Sequence, residues 1–120
     1  MSQNISRLFF FIGVLLVIWF SLYVEAERFQ GLGGDKLWHV LAFGFLGLMS
    51  ALACPNRRRL AVIVAGLVVF GLAIEFVQVI TPGRSADLSD VIANLVGLSA
   101  GLALAVIAHL LKIRRNGTAS

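Results

Sequence analysis

The stretch LAVIVAGLVVFGLAIEFVQVI, Leu60–Ile80, decides the solvent in which this chain folds. It is 21 residues long, and only Glu75 and Gln78 interrupt its apolar side chains. As an α-helix rising about 1.5 Å per residue, it reaches across the roughly 30 Å hydrocarbon core of a bilayer. Arg57, Arg58 and Arg59 precede it, and Thr81-Pro82-Gly83-Arg84 follows as a turn. Three further apolar runs of similar length flank it, at Leu8–Val24, Leu37–Ala53 and Leu88–Leu111. The expected fold is an all-α membrane protein, a four-transmembrane-helix bundle with helices near 8–24, 37–53, 60–80 and 88–111. Residues 1–120 form a single membrane domain in this reading. The breaks at Glu25–Lys36, Pro55–Arg59 and Thr81–Arg84 are short, so successive helices run antiparallel.

Composition agrees. Hydrophobic residues are 59% of the 120 and charged residues 13%, against about 25% charged in an ordinary soluble domain. That balance excludes a water-soluble fold of this size and, equally, a disordered chain. The net charge of +4 comes from Lys and Arg clustered between apolar runs, which is the pattern of membrane topology and not of a nucleic-acid partner. Cys54 is the single cysteine, so no internal disulfide or paired-cysteine zinc site exists.

Orientation follows from the cations, which stay on the cytoplasmic side during insertion. With four spans the termini share a side, and that side carries Arg7, Arg57, Arg58, Arg59, Lys112, Arg114 and Arg115. Only Arg28, Lys36 and Arg84 lie across the membrane, so both termini are expected in the cytoplasm. Val24-Glu25-Ala26 has small residues where a signal peptidase reads, but the run before it is long for a signal peptide and only Arg7 precedes it. Helix one is therefore read as a retained span. Its aromatic residues Phe9, Phe10, Phe11, Trp19, Phe20 and Tyr23 suit a lipid-facing wall or a protein contact.

Ionisable groups inside a membrane cost about 2.5 to 3.5 kcal/mol each even on the insertion scale, so their positions are informative. His39 sits just inside the outer end of helix two, with Asp35 four residues before it on the same face and Lys36 beside that. Glu75 and Gln78 are neighbours in the last turns of helix three. Arg84, Asp87, Asp90 and Asn94 lead into helix four. At about 100° per residue, Asp87, Asp90, Asn94, Gly97 and Gly101 occupy a stripe about 80° wide, which faces protein. Ala93, Gly97 and Gly101 supply small residues at spacing four, suited to close helix packing. Helix one has no matching polar set, so the two halves are not an inverted repeat. Three helices thus bring polar groups to one depth near the outer face. The expected ligand-binding set is Asp35, Lys36, His39, Glu75, Gln78, Arg84, Asp87, Asp90 and Asn94.

These residues fall into a recognisable order: Asp35-Lys36-Leu37, His39 and Phe43, then Glu75 and Gln78, then Pro82, Arg84, Asp87, Asp90, Asn94, Gly97 and Gly101. Over roughly Asp35 to Gly101 the chain resembles the VanZ family of small membrane proteins. The resemblance implies a bacterial plasma-membrane protein with its polar motif near the outer face. It also implies a link to the cell envelope and to antibiotic resistance, since founding members are associated with teicoplanin resistance. It supplies no reaction.

Three classes of function fit the polar set. The first is a binding protein whose outer site holds a lipid headgroup, a cell-wall precursor or a glycopeptide; its partners are the bilayer and such a ligand, not nucleic acid. The second is a membrane-embedded hydrolase or transferase acting on a lipid-linked substrate, with His39, Glu75 and Asp90 as candidate catalytic groups and Arg84 as anion clamp. No nucleophile elbow is present, and Cys54 is on the wrong side. The third is a small transporter, disfavoured because the inner halves of the spans hold almost no polar side chains. No cofactor is expected, and the linear spacing of His39, Glu75 and Asp90 matches no metal-ligand motif. Binding is the preferred reading, with the membrane-embedded enzyme as the first alternative.

Overall fold

The computed structural model describes residues 2–23, 34–80 and 88–118. They form four helices, α1 (Gln3–Tyr23), α2 (Gly34–Ala53), α3 (Arg57–Ile80) and α4 (Leu88–Thr118), with no strand among the described residues. All four are long and apolar enough to cross a membrane. A spanning segment has to satisfy every backbone polar group internally, and the helix is the form that does so within one segment.

α1 and α3 begin earlier than their apolar runs because polar caps start them in the interfacial zone. The Ser2 hydroxyl accepts the Ile5 amide at the start of α1. Asn56 does the same for α3, its side-chain oxygen accepting the amides of Arg58 and Arg59 at 3.0 and 3.2 Å. α4 continues past Leu111 to Thr118, because Lys112, Arg114 and Arg115 are good helix formers that water tolerates. At 31 residues α4 is about 46 Å long, so its exposed last turns project beyond a bilayer core of roughly 30 Å.

α2 and α4 make the most extensive contact in the bundle, α1 lies against α2, and α3 touches the other three more lightly. The α2–α4 seam is a backbone-to-backbone approach. A Cβ added at Gly97 would collide with the Val40 carbonyl, and one at Gly101 with the carbonyl of Gly44. From the other side, a Cβ on Gly47 would lie 2.7 Å from the Leu98 carbonyl oxygen. Ala93, Gly97 and Gly101 are all buried. On α2 Val40 faces Gly97 and Gly44 faces both Gly97 and Gly101, pairings that the spacing within α4 does not specify.

Val17, Phe43, Leu46, Leu67, Ile74 and Leu98 form the apolar core. Apolar side chains on the outer faces, such as Leu15, Val62 and Leu104, are exposed and meet acyl chains in a bilayer. α1 divides its aromatic residues between the two roles. Phe9, Phe11 and Trp19 are exposed, whereas Phe10 packs against the core and Phe20 stacks on Trp38 of α2 with ring centroids 4.6 Å apart.

Candidate functional site

α2 begins, and α3 ends, at the end of the bundle where α4 begins. His39 lies five residues into α2, Glu75 five residues before the end of α3, and Asn94 six residues into α4. At about 1.5 Å per residue each is roughly 8 to 9 Å from its helix terminus, so the three meet at one depth. His39, Glu75, Gln78, Asp90 and Asn94 are at most 7% exposed. Helical phase turns them inward: the buried residues of α3 are Leu67, Gly71, Ile74, Glu75 and Gln78, a single stripe.

At the centre, the His39 ring contacts Asn94 and Glu75. Nδ1 is 2.6 Å from Asn94 Oδ1. A carbonyl oxygen only accepts, so Nδ1 is the donor and, in the neutral ring, Nε2 carries the lone pair. Nε2 lies 3.7 Å from Glu75 Oε1, beyond ordinary hydrogen-bond length but within ion-pair reach. A protonated ring makes this an ionic pair; a neutral ring sets two acceptors facing each other. Asp90 completes the cluster, with donor atoms of His39, Glu75 and Asp90 all within 4.8 Å of one another.

One polar group at the edge has structural work. Gln78 Nε2 donates to the Ser21 carbonyl oxygen at 3.1 Å. Ser21 lies near the end of α1, so this bond from a buried side chain ties α1 to α3. The Asn94 amide nitrogen is buried without a hydrogen-bond partner among the described residues, beside a cavity of about 10 Å³ lined by Phe43, Leu67, Gly71 and Leu98. That volume is at the lower limit for one water molecule.

Of the nine residues expected to bind ligand, the structure therefore gathers His39, Glu75, Asp90 and Asn94 tightly, with Gln78 adjacent. Lys36 is exposed and outside the cluster. Arg84, Asp87 and the Asp35 side chain lie outside the described residues. Helix one, aromatic rather than polar in its side chains, contributes the Ser21 carbonyl. A backbone acceptor has no residue-type signature, and only the end of an apolar run near Tyr23 hints at it.

A cavity of about 610 Å³ lies at the opposite end of the bundle, among Arg7, Phe10, Cys54, Arg58, Arg59 and Ile63. It contains none of the clustered acids, and its cations are those of the topology pattern.

The sequence model of the VanZ/LLP1 family matches residues 3–109, which adds α1 to the region whose motifs carried the resemblance. An uncharacterized protein of Schizosaccharomyces pombe is 38% identical over 79 residues, covering 62% of this chain and 48% of the relative. The chain thus spans about half the length of the curated relative it matches. No solved structure matches. With four apolar spans, a small-residue seam and the family match over nearly its whole length, this chain is a multi-pass membrane protein of the VanZ/LLP1 family.

Proposed function

We propose that the His39–Glu75–Asp90–Asn94 cluster binds the polar headgroup of an envelope lipid, the chain acting as a membrane binding protein and not as a carrier across the membrane. The observation that carries this reading is the position of the cluster: it is buried, yet within about 9 Å of the helix ends, and the outer faces of the same helices are apolar. A lipid bound there keeps its acyl chains against Leu37, Phe76 or Ile92 while its headgroup meets hydrogen-bonding side chains. The fission-yeast relative favours a phospholipid, which all membranes contain, over a cell-wall precursor or a glycopeptide. In a bacterial plasma membrane, engagement of a lipid-linked wall precursor by the same groups would contribute to glycopeptide resistance. Transport is disfavoured because Val17, Phe43, Leu46, Leu67 and Leu98 leave the middle of the bundle apolar.

Native mass spectrometry of the chain released from nanodiscs of phosphatidylglycerol and phosphatidylethanolamine tests the reading. One lipid should persist on the wild type at collision energies that strip it from His39→Ala. Equal loss from both proteins would overturn headgroup binding.

A second reading, a hydrolase or transferase for a lipid-linked substrate, has one observation in its favour. Asn94 fixes the His39 ring while the opposite nitrogen faces Glu75, the arrangement in which a carboxylate and an imidazole share a proton. Conversion of the retained lipid to a species of different headgroup mass, abolished by Glu75→Gln, would establish it.

The proposal includes an orientation, with both termini in the cytoplasm and the cluster facing out, supported by the cation asymmetry. In a Cys54→Ala background, single cysteines at Gly33 and Ser85 should react with an impermeant thiol reagent in intact cells, and one at Asn116 should not. The reverse pattern would invert the bundle.

A further inference from the structure

We infer that His39, Glu75 and Asp90 form a binding site for a divalent transition-metal ion, with Zn²⁺ the best fit, and that Asn94 is the positioning residue that orients His39 toward it. Three helices contribute one donor each, at sequence separations that no local motif encodes. The donor atoms lie within 4.8 Å of one another, and His39 Nε2 is 3.7 Å from Glu75 Oε1. Tetrahedral zinc with bonds of 2.0 to 2.2 Å holds its ligands about 3.4 Å apart, so a contraction of at most about 1.4 Å brings this set to coordination distance.

The hydrogen bonding favours a metal over a simple ion pair. A metal-binding imidazole characteristically donates its far N–H to an oxygen, which fixes the tautomer and aims the other nitrogen's lone pair at the ion. Asn94 Oδ1 accepts from Nδ1 at 2.6 Å, so Nε2 turns its lone pair toward the two carboxylates. An ion there converts facing acceptors into shared ligands.

The donor set discriminates among ions. Mg²⁺ and Ca²⁺ prefer all-oxygen shells, whereas an imidazole beside carboxylates suits zinc and its first-row neighbours. Two carboxylates and a neutral imidazole balance a 2+ charge, and the low dielectric around groups this buried strengthens the attraction. Three protein ligands leave a fourth position open, as in zinc sites that take an exogenous ligand. Where the headgroup reading also holds, a phosphate oxygen is the natural occupant of that position; the metal site itself rests on the geometry alone.

The test uses the full chain, purified in detergent without a polyhistidine tag, stripped with EDTA and dialysed against Zn²⁺. Elemental analysis should find about one zinc per chain, and Zn²⁺ should raise the thermal unfolding midpoint. Glu75→Gln and Asp90→Asn should lose the ion. Asn94→Leu should weaken binding about 10- to 100-fold, the range for losing an outer-shell partner. His109→Ala, which changes an exposed histidine at the other end of α4, should leave it intact. Co²⁺ added to the wild type should give the intense visible absorption of a tetrahedral centre, a readout independent of any variant's folding. Zinc no higher in the wild type than in Asp90→Asn, or Co²⁺ spectra identical to the aqueous ion, would overturn the site. One zinc per chain without a retained lipid would sustain the metal and overturn the headgroup reading; a retained lipid without zinc would do the opposite.

Discussion

Gly97→Ala should destabilise the bundle by about 1 to 3 kcal/mol, and Gly97→Leu by more, while Gly66→Ala should be neutral or mildly stabilising. The chemical change to alanine is identical; the surroundings differ. A Cβ at Gly97 meets the Val40 carbonyl and Cα atom of α2, and backbone cannot rotate aside as a side chain can. A Cβ at Gly66 meets nothing within 4 Å. There the methyl group only restricts the unfolded chain and improves helix propensity, worth about 0.4 to 1 kcal/mol. Ser99→Leu, on the exposed face of α4, should also be tolerated. The measurement is the fraction of folded protein surviving a temperature ramp in detergent. Equal losses at Gly97 and Gly66 would mean that α2 and α4 do not meet where Gly97, Gly101 and Gly44 bring them together.

The second large effect concerns the cluster. Glu75→Gln keeps the shape of the side chain and removes its charge; His39→Gln keeps a hydrogen-bonding group and removes the ring. Each should weaken retention of phosphatidylglycerol at least tenfold, about 1.4 kcal/mol or more. The double variant should cost clearly less than the sum, with a coupling above 1 kcal/mol. Exposed ion pairs couple by only about 0.2 to 1 kcal/mol, but the side chains of this pair are 5% and 8% exposed, and water screens a buried pair far less. The fold should outlast the binding, because the cluster sits at one end of a bundle held by the α2–α4 seam and the apolar core. Strict additivity would show that the two residues act separately. Full lipid retention with lowered thermal stability would make the cluster structural.

The four spans could be read from the sequence because the bilayer imposes a local rule. About 20 apolar residues must lie consecutively, so Leu60–Ile80 announces itself without reference to any other segment. Depth was legible for the same reason: with antiparallel helices, counting from each end puts His39, Glu75 and Asn94 at one level. The inward stripe of α4, Asp90, Asn94, Gly97 and Gly101, followed from helical phase alone.

What sequence could not supply was the rotation of one helix against another. Whether Gly97 abuts Val40 or a residue of α3 depends on which faces pack, and in lipid that choice is made by close van der Waals fit rather than by a hydrophobic pattern. Gly44 and Gly47 were visible as glycines, but only the seam makes them partners of Gly101 and Leu98. The pairing of His39 with Asn94, and the convergence of His39, Glu75 and Asp90, likewise required three helices at defined rotations. The Ser21 carbonyl lay beyond any reading of side chains, since every residue carries the same acceptor and only the packing of α1 beside Gln78 selects this one.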